Sequence, residues 1–304
     1  MRDRHPRRRI LAVRATALEA SEGFTDERRQ AFERDGYLLI EGALPSAQVG
    51  PLIEAVDRAW AGQRGVRDTG IAEPLHVLAF CGLDARFLEL LDHPSTLPLV
   101  VDLLGPNIFM YHCHLDVHPP EPEGAAVPWM WHQDGGVQNR DLETDPRPRL
   151  SVKVAYFLTD VSEPGRGNFV VLPGSHRRNR IQRPQDDHTD LPGATPILAH
   201  PGDAVLFDRR LWHMRSCNRS MLTRKVLFYA YTFRWIRPRD ELTVRPELFG
   251  EITPVRAQLL GAGAAAIDFW MPDQVDLPLR AWSQRRSRPE GSHRRSSPPP
   301  RGRA

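Results

Sequence analysis

Lysine and cysteine are the scarcest chemically active residues in this chain of 304 residues. Its three cysteines, Cys81, Cys113 and Cys217, are scattered and form no CxxC pair. This usage argues against a disulfide framework or a structural zinc site, and it favours a reducing compartment. We therefore expect a cytoplasmic protein in which the cysteines are small buried residues.

Long apolar runs are absent as well. No run reaches the roughly 18 residues that a membrane span needs, so the sequence predicts no membrane partner. Near the N-terminus, Arg14 interrupts the short apolar run of residues 10–13. The apolar centre of a secretory signal is therefore missing, and a twin-arginine export signal is a poor match for the same reason.

Positive charge is concentrated at the two ends of the chain, whose formal net charge is +3. Residues 1–14 carry +5 and residues 283–304 carry +6, which leaves −8 on the rest. Because the folded part is acidic overall, we predict no specific nucleic-acid partner. Arginine supplies nearly all of the positive charge, since Lys153 and Lys225 are the only lysines.

The pattern of apolar and polar residues predicts one folded domain between two basic ends. Residues 1–24 form a basic arm without clear periodicity, and residues 283–304 form a tail rich in Arg, Ser and Pro, so both are predicted to be disordered. Residues 25–282 are predicted to form the domain, with helices first and strands from residue 108. The expected fold class is mainly β, with flanking α-helices that buttress one face.

Residues 129–136 contain the most informative motif, His132-Gln133-Asp134. Residues two apart on a β-strand point to the same face, so His132 and Asp134 would project side by side. One neutral nitrogen ligand beside one anionic oxygen ligand is two-thirds of the 2-His-1-carboxylate triad of non-haem Fe(II). The motif alone is weak evidence, because a surface His–Asp pair is its commoner explanation.

A second half of such a site lies downstream. Gly202-Asp203 predicts a turn, the apolar run after it predicts a buried strand, and His213 follows a short break. Arg224 comes eleven residues later, at the start of another apolar run. A guanidinium stays charged and matches a carboxylate with two hydrogen bonds. An arginine there suits a 2-oxo-dicarboxylate, because one end chelates the metal while the other pairs with the arginine.

Four sequence blocks, in this order, resemble the phytanoyl-CoA dioxygenase family of Fe(II)/2-oxoglutarate-dependent oxygenases. They are Asp35-Gly36-Tyr37, then Trp131-His132-Gln133-Asp134, then Gly167-Asn168 with Leu172-Pro173-Gly174-Ser175-His176, and finally Gly202-Asp203 leading to His213, Asn218 and Arg224. Together the blocks span roughly residues 25–235. The set is specific, although each block alone is not.

The resemblance implies a fold, cofactors and a reaction. The fold is a double-stranded β-helix, the jelly roll of the cupins. His132, Asp134 and His213 would hold Fe(II), and Arg224 would anchor 2-oxoglutarate. The implied reaction consumes O₂, releases succinate and CO₂, and oxidises a C–H bond. Because related halogenases lack the carboxylate that Asp134 provides, hydroxylation, desaturation, ring formation or epimerisation is expected rather than halogenation.

Residues 108–117 alternate in polarity and place His112, His114 and Asp116 on one face, with His118 just beyond. The resemblance implies that this strand lines the pocket opposite the HxD motif. His112 and His114 would then bind substrate and His118 the co-substrate. Histidines on a solvated face, or satisfied within the core, explain the pattern equally well, whereas a second metal site is the weakest interpretation.

Residues 137–149 form a polar, proline-bearing loop directly after the HxD motif. Loops of this kind close over substrates in many enzymes. We therefore predict that Gln138, Asn139 and Arg140 reach the substrate, although the alternating charges are equally typical of a solvated turn. In the family-like block that ends at His176, the resemblance implies a structural role for this histidine.

Two further arginines, Arg215 and Arg219, compete with Arg224 for the anchor role. Arg224 is preferred because its spacing from His213 matches the family and because it enters a buried strand. Lys153 is a rare lysine inside a predicted core strand. The family often has a co-substrate contact in this region, but no role is assigned to Lys153 on that basis.

The predicted function is that of a non-haem iron, 2-oxoglutarate-dependent dioxygenase. Its substrate is expected to be a small molecule, such as an intermediate of specialised metabolism, since no CoA-binding motif is evident. The alternative is a cupin-like metal-binding protein without oxygenase activity, against which the intact Arg224 argues. A regulatory relative without activity would be favoured by loss of a triad residue, and none is lost. The sequence does not indicate an oligomeric state.

Overall fold

The computed structural model describes residues 12–14, 23–67, 73–124, 131–182, 191–262, 270–273 and 276–286. The helices are α1 (Asp26–Asp35), α2 (Ser46–Arg67), α3 (Ala85–Glu89), α4 (Leu97–Leu104), α5 (Val137–Asp141), α6 (Pro254–Leu259) and α7 (Pro278–Arg286). The strands are β1 (Ala12–Arg14), β2 (Tyr37–Glu41), β3 (Leu75–Leu78), β4 (Ile108–His118), β5 (Ser151–Phe157), β6 (Phe169–Val171), β7 (Thr195–Pro196), β8 (Ala204–Asp208), β9 (His213–Arg215) and β10 (Arg224–Phe233). Short 3₁₀ helices cover Phe80–Leu83, Ser175–Arg177 and Pro246–Glu251.

The strands form two sheets that pack face to face. The large sheet has the order β1-β2-β8-β5-β10-β4-β3, and the small sheet has the order β7-β6-β9. Strand neighbours in space are mostly not neighbours in sequence, and the pairings within the large sheet from β2 to β3 are antiparallel. Two antiparallel sheets joined by such crossovers form a jelly roll. The predicted double-stranded β-helix with flanking helices is therefore confirmed.

Apolar side chains fill both faces of the large sheet. Between the two sheets, Phe157 and Phe207 of the large sheet meet Phe169 and Val171 of the small one. On the outer face, the helices α2 to α4 pack against the same strands through a second, larger cluster. Because the central strands are buried on both faces, they appear in the sequence as continuous apolar runs rather than as an alternation.

The turn between α1 and β2 shows why its glycine is needed. Helix α1 begins after Thr25, whose hydroxyl accepts a hydrogen bond from the backbone amide of Arg28, and it ends at Gly36, with φ of +82°. A Cβ atom on Gly36 would lie 2.5 Å from Nδ1 of His176. Both the left-handed backbone and this close approach require glycine. The turn thereby holds the block that ends at His176 against α1.

Helix α2 continues to Arg67, although the sequence from residue 62 onward is rich in glycine and charge, which is typical of a loop. Its two late glycines, Gly62 and Gly65, weaken a helix by roughly 1 kcal/mol each. One compensating contact is visible, since the guanidinium of Arg64 lies 4.0 Å from the ring centroid of Trp60, one helical turn earlier.

The two predicted ends also differ from the structure. Residues 12–14, expected in a disordered arm, form strand β1, which pairs in parallel with β2. Helix α7 passes the predicted boundary at residue 283 and ends at Arg286. The other residues of the arm up to residue 22 and of the tail from residue 287 lie outside the described ranges, as do residues 125–130 before the HxD motif. No helix among the described residues is long and apolar enough to cross a membrane.

Candidate active site

His132, Asp134 and His213 come together from two distant segments of the chain. Their possible ligand atoms all lie within 4.8 Å of one another. His132 forms an isolated β-bridge with His213, in which each backbone amide donates to the other carbonyl at 3.0 Å. The HxD motif is thus held by one bridge and a turn, and not by the regular strand that the sequence predicts. The bridge alone brings the two imidazole rings to a centroid distance of 4.2 Å.

The backbone around Asp134 is fixed from both sides. Its amide donates to the carbonyl of Arg209 at 2.9 Å, and its own carbonyl accepts from Nδ2 of Asn139 at 3.0 Å. The next residue, Gly135, has φ of +122°, and a Cβ atom there would lie 2.4 Å from NH1 of Arg209. Glycine is therefore required after the aspartate, and the turn presents the carboxylate toward the two histidines.

The protonation states suit a divalent metal. Nδ1 of His213 lies 2.8 Å from the carbonyl of Leu211 and donates to it, which leaves a lone pair on Nε2. Burial lowers the pKa of His213 to about 3, so the ring is neutral at physiological pH. Burial would raise the pKa of Asp134, but the Lys153 ammonium and the two histidines hold it far below its usual value. Neutral imidazole and carboxylate are ligands that Fe(II) accepts.

Lys153 on β5 is the cation nearest to this carboxylate. Its Nζ atom lies 2.9 Å from Oδ2 of Asp134, and the residue is only 4% exposed. A buried ion pair of this kind compensates the charge of the carboxylate. In the sequence, Lys153 is a rare lysine inside a predicted core strand, and no role was assigned to it on that basis.

Arg224, the first residue of β10, is buried in the same cavity and is 2% exposed. Its Nε and NH1 atoms have no hydrogen-bond partner within the described residues. The nearest carboxylate oxygen, Oδ2 of Asp116, is 4.0 Å from NH1. Burial lowers the pKa of Arg224 to about 10, so the guanidinium remains charged at neutral pH. Unsatisfied N–H groups on a buried cation fit the carboxylate of a ligand.

The two competing arginines are engaged elsewhere. Arg215 contacts the carboxylate of Glu121 through NH1 at 3.0 Å and through NH2 at 2.7 Å. Arg219 donates to the backbone carbonyls of Glu121 and Pro122. Of the three candidates, Arg224 is therefore the one whose geometry best suits an anchor for an incoming anion.

One cavity is lined by the three candidate ligands, Lys153 and Arg224, and its free volume is about 100 Å³. Its apolar wall consists of Phe169, Phe207, Met214 and Phe228. Its polar wall consists of His76, His112, His114, Asp116, His132, Asp134, Lys153, His213, Arg215, Arg224 and Arg239.

The predicted histidines of β4 occupy different places. His112 and His114 line the cavity, as a substrate-binding role requires. His118 is buried and pairs in register with Arg224 on the neighbouring strand, but it is not among the residues that line the cavity. Its predicted contact with the co-substrate therefore stays a prediction, supported by proximity to Arg224 alone.

The loop residues predicted to reach the substrate do not line this cavity. Oε1 of Gln138 accepts from Arg209 at 3.0 Å, and Asn139 holds the carbonyl of Asp134. Arg140 is exposed and pairs with Asp141. Residues 137–141 form the short helix α5 rather than an open loop, which turns these side chains to the side chain of Arg209, to the backbone or to solvent. Their contact with the substrate therefore stays a prediction, and in this structure Asn139 supports the turn that presents Asp134.

Sequence reasoning assigned no role to four polar residues beside the cavity: His76, Asp116, Arg239 and Asp240. Asp116 shares a face with His112 and His114, so the alternation along β4 was a usable signal. The other three come from β3 and from the segment after β10. They reach β4 only through tertiary contacts, such as the pairing of His76 with Asp116, and no local pattern marks them.

Comparison with known proteins gives the same picture. The sequence profile of the phytanoyl-CoA dioxygenase family matches residues 32–226. A protein named dioxygenase af480 from Aspergillus fumigatus is 25% identical over 251 residues, which cover 77% of this chain and 76% of that protein. An ectoine dioxygenase from Nocardia farcinica is 23% identical over 239 residues, which cover 67% of this chain and 76% of that protein.

A solved structure resembles the fold of the chain. HygX from Streptomyces hygroscopicus, with nickel and 2-oxoglutarate bound, matches it with a TM-score of 0.59 at 18% identity, covering 75% of this chain and 95% of that one. The family profile extends over well more than half of the chain and includes both halves of the candidate site. On this basis, the chain belongs to the phytanoyl-CoA dioxygenase family of Fe(II)/2-oxoglutarate-dependent oxygenases.

Proposed function

We propose that this family member oxidises a C–H bond of a small molecule at an iron ion held by His132, Asp134 and His213, with Arg224 as the anchor for 2-oxoglutarate. The observation that carries the proposal is the placement of two different sites in one cavity. One is a set of three ligand groups within 4.8 Å of each other, and the other is a buried guanidinium with unsatisfied N–H groups. A protein that only binds metal has no need of the second.

The donor set fits ferrous iron. Two imidazoles and one carboxylate on one side of an ion leave adjacent positions for other ligands. Bound iron, with 2-oxoglutarate and O₂, supplies the oxidising chemistry that converts 2-oxoglutarate to succinate and CO₂ while a C–H bond of the substrate is oxidised. With Asp134 present as the third ligand, oxidation rather than halogenation is the proposed outcome.

The remaining residues position and shield the reactants. The guanidinium of Arg224 pairs with the distal carboxylate of 2-oxoglutarate, which orients the 2-oxo acid end toward the three ligands. The rings of Phe169, Phe207 and Phe228 line the cavity and exclude water. Lys153 stays close to Asp134 and balances the negative charge that gathers there.

The substrate is proposed to be a small, polar molecule, because most of the residues that line the cavity are polar or charged. A relative named for ectoine and a structural neighbour that holds 2-oxoglutarate support a small-molecule substrate and this co-substrate. An intermediate of specialised metabolism and a cytoplasmic location remain predictions from the sequence.

The decisive experiment combines metal-free protein with Fe(II) and 2-oxoglutarate without oxygen and records the weak visible charge-transfer band of the chelate. We expect the band in the wild type, a weaker band in Arg224→Ala, and loss of Fe(II) affinity in Asp134→Ala. The exposed pair of Arg140 with Asp141 offers a matched control, so Asp141→Ala is expected to retain the band. Succinate release after admission of O₂ then gives a readout for substrate screening.

One result would overturn the proposal. If iron or another divalent metal binds with the three ligands but no band forms with 2-oxoglutarate, the protein is a cupin-like metal-binding protein and not an oxygenase. Unchanged metal affinity in Asp134→Ala would instead remove the assignment of the ligands.

A further inference from the structure

A chain of hydrogen bonds runs along the wall of the cavity that β4 forms. It begins at Asp240, in the segment after β10, and passes through His112 to His114. The carboxylate of Asp116 lies beyond His114 on the same strand. The proposed function uses none of these contacts to hold the metal ligands or Arg224. This series of hydrogen bonds therefore has no role yet in the proposed function.

The tautomer of His112 is determined by its neighbours. NH1 of Arg239 lies 3.1 Å from Nε2 of His112, and because a guanidinium only donates, Nε2 must accept. The proton is therefore on Nδ1, which donates to Oδ2 of Asp240 at 2.7 Å. Asp240 also accepts from the backbone amide of Cys113 at 3.0 Å, which fixes its position. Burial is the main reason that the pKa of His112 is lowered, so the ring is neutral.

The tautomer of His114 follows from that of His112. Its Nδ1 atom lies 2.9 Å from Nε2 of His112, which is an acceptor, so Nδ1 of His114 must donate. Burial holds the pKa of His114 well below its usual value, so the ring carries one proton only. Nε2 of His114 is consequently a lone-pair acceptor. The ring is stacked on Phe228 at a centroid distance of 4.4 Å, which prevents it from turning away.

The carboxylate of Asp116 adds a second acceptor. Its Oδ1 atom accepts from Nδ1 of His76 at 2.6 Å. Its Oδ2 atom lies 4.0 Å from Nε2 of His114, 4.0 Å from NH1 of Arg224 and 3.8 Å from Nε2 of His118. These separations exceed hydrogen-bond distance. Two buried acceptors, Oδ2 of Asp116 and Nε2 of His114, thus face a gap that a hydrogen-bond donor would bridge.

We propose that this gap, between His114 and Asp116, binds a primary ammonium group of the substrate. The inference rests on the proposed function and names the class of substrate for it: a small molecule with an amine that is protonated at neutral pH. His112, Asp240 and Arg239 act as positioning residues, because they set which nitrogen of His114 carries the lone pair.

The spacing of the two acceptors favours an ammonium group over a metal ion. Hydrogen bonds of about 2.9 Å from one nitrogen to acceptors 4.0 Å apart open an angle of roughly 87°, so two tetrahedral N–H bonds of an ammonium would each bend by only about 11°, which hydrogen bonds tolerate. Metal–ligand bonds of about 2.1 Å in a tetrahedral site place the ligand atoms only about 3.4 Å apart. His76, His114 and Asp116 are close enough together to be considered as metal ligands, but this separation is too wide for the bonds.

The balance of charge also favours a cation. Lys153 is paired with Asp134, and 2-oxoglutarate on Arg224 would neutralise the guanidinium that now lies 4.0 Å from Asp116. Asp116 would then be a buried anion whose cationic neighbour is already paired with another carboxylate, which is costly unless a cation arrives with the substrate. The ammonium group and 2-oxoglutarate should therefore strengthen each other's binding.

The tautomers are tested directly by ¹⁵N NMR of the wild type labelled at histidine. The structure predicts that both His112 and His114 carry their proton on Nδ1 and show an unprotonated Nε2. A spectrum in which Nε2 of His114 is protonated would overturn the proposal. The N–H of His114 would then point toward Asp116, and Nε2 could not accept a hydrogen bond from an ammonium group.

Binding is tested with three probes of one shape: cyclohexylammonium, cyclohexanol and cyclohexanecarboxylate. Calorimetry on the protein loaded with Fe(II) and 2-oxoglutarate, without oxygen, is expected to give at least about tenfold tighter binding of the ammonium than of the alcohol. The preference should disappear in Asp116→Asn and in His114→Phe, which keeps an aromatic ring against Phe228. It should persist in Asp141→Asn, which removes an exposed carboxylate outside the cavity.

The outcomes separate the two proposals. A wild type without the chelate band would contradict the proposed function, whereas a band without any preference for the ammonium probe would contradict this inference alone. Equal binding of the alcohol and the ammonium would also overturn it. A second equivalent of metal per chain in elemental analysis, lost in Asp116→Asn, would replace the ammonium site with a metal site.

Discussion

Two buried cations face the cavity in different states of pairing. Lys153 is in contact with a carboxylate at 2.9 Å, whereas Nε and NH1 of Arg224 have no hydrogen-bond partner among the described residues. A buried charge that lacks partners is costly to the fold and is typical of a binding function. Substitutions of the two residues should therefore have different effects. A change at Arg224 should alter the affinity for 2-oxoglutarate, and a change at Lys153 should alter the affinity for Fe(II).

Arg224→Ala is expected to weaken 2-oxoglutarate binding by about 100-fold, which corresponds to roughly 3 kcal/mol for a buried, charged hydrogen-bonding partner. Titration of 2-oxoglutarate into the Fe(II)-loaded protein without oxygen measures the dissociation constant. Arg219→Ala is the matched control, because this arginine donates to the backbone carbonyls of Glu121 and Pro122 near the surface. Equal losses in both variants would contradict the choice of Arg224 as the anchor.

Lys153→Met is expected to destabilise the metal-free protein by about 3 kcal/mol, because it leaves Asp134 as a buried charge without its nearest cation. The same change should tighten Fe(II) binding by about tenfold, since the ammonium no longer competes for the carboxylate or repels the ion. Urea unfolding and Fe(II) titration measure the two effects.

The only other lysine provides the control for this prediction. Lys225 pairs with Asp57, whose side chain is 46% exposed, so Lys225→Met should change stability by about 1 kcal/mol or less and leave Fe(II) binding unaltered. If Lys153→Met weakens Fe(II) binding instead, Lys153 orients the carboxylate for the metal rather than competing with it.

At the scale of structural elements, the turn before β6 packs against the side chain of Arg224. Gly167 has φ of +69°, and a Cβ atom there would lie 2.8 Å from Cδ of Arg224. Asn168 is buried and donates to the carbonyls of Val161 and Ile197, which ties the turn to the small sheet. The Gly-Asn block of the family therefore has a physical reason, because it sets the position of the anchor.

Gly167→Ala is expected to cost about 1–2 kcal/mol of stability from the left-handed backbone and also to weaken 2-oxoglutarate binding by displacing Arg224. Gly165→Ala is a close control in the same turn. Its φ is +86°, but a Cβ atom there would meet nothing nearer than Cβ of Arg219 at 4.0 Å. Both variants should lose stability in urea unfolding, and only Gly167→Ala should lose 2-oxoglutarate affinity. Matching affinities in the two variants would remove the supporting role of Gly167.

At the scale of the whole molecule, buried histidines make the fold sensitive to acid. Burial lowers the pKa of His93 to about 4, and it lowers the pKa values of His112, His114 and His176 as well. Between these values and about 6.5, the unfolded chain binds more protons than the folded chain. Stability from these groups is therefore present above pH 6.5 and is lost as the pH falls toward 4.

His93→Gln is expected to reduce this acid sensitivity. Each histidine that stays neutral in the fold contributes about 1.4 kcal/mol of lost stability between pH 7.5 and pH 5.5. Urea unfolding of the metal-free protein at the two pH values measures the loss, which should be smaller by about that amount in His93→Gln. His200→Gln, at an exposed histidine, is the control. An undiminished loss in His93→Gln would show that His93 is protonated in the folded state.

Several features were accessible from local sequence, and particular residues show why. The apolar runs of β5, β8 and β10 and the alternation of His112, His114 and Asp116 depend on neighbours along the chain. The HxD motif and His213 were identified because each is a compact pattern beside a turn or strand. The family assignment followed from their order, and it was confirmed by the profile match.

Other features depended on contacts between distant segments. Asn139 was predicted to reach the substrate, and nothing in the sequence indicated its hydrogen bond to the carbonyl of Asp134. His76 pairs with Asp116 because β3 lies beside β4, and Asp240 reaches His112 across 128 positions in sequence. No periodicity along one segment contains this information, since the neighbour of a strand is chosen by packing of the whole sheet.

The sequence was thus sufficient to predict the fold class, the family and the residues proposed for iron and 2-oxoglutarate. Each of these predictions depends on short motifs of residues that are close together in sequence. The tertiary structure alone decided how those groups are protonated and paired: Lys153 against Asp134, Arg224 with Nε and NH1 unpaired among the described residues, and His114 oriented through His112. Burial and neighbouring charges set these properties. Both arise only when segments far apart in sequence enclose one cavity.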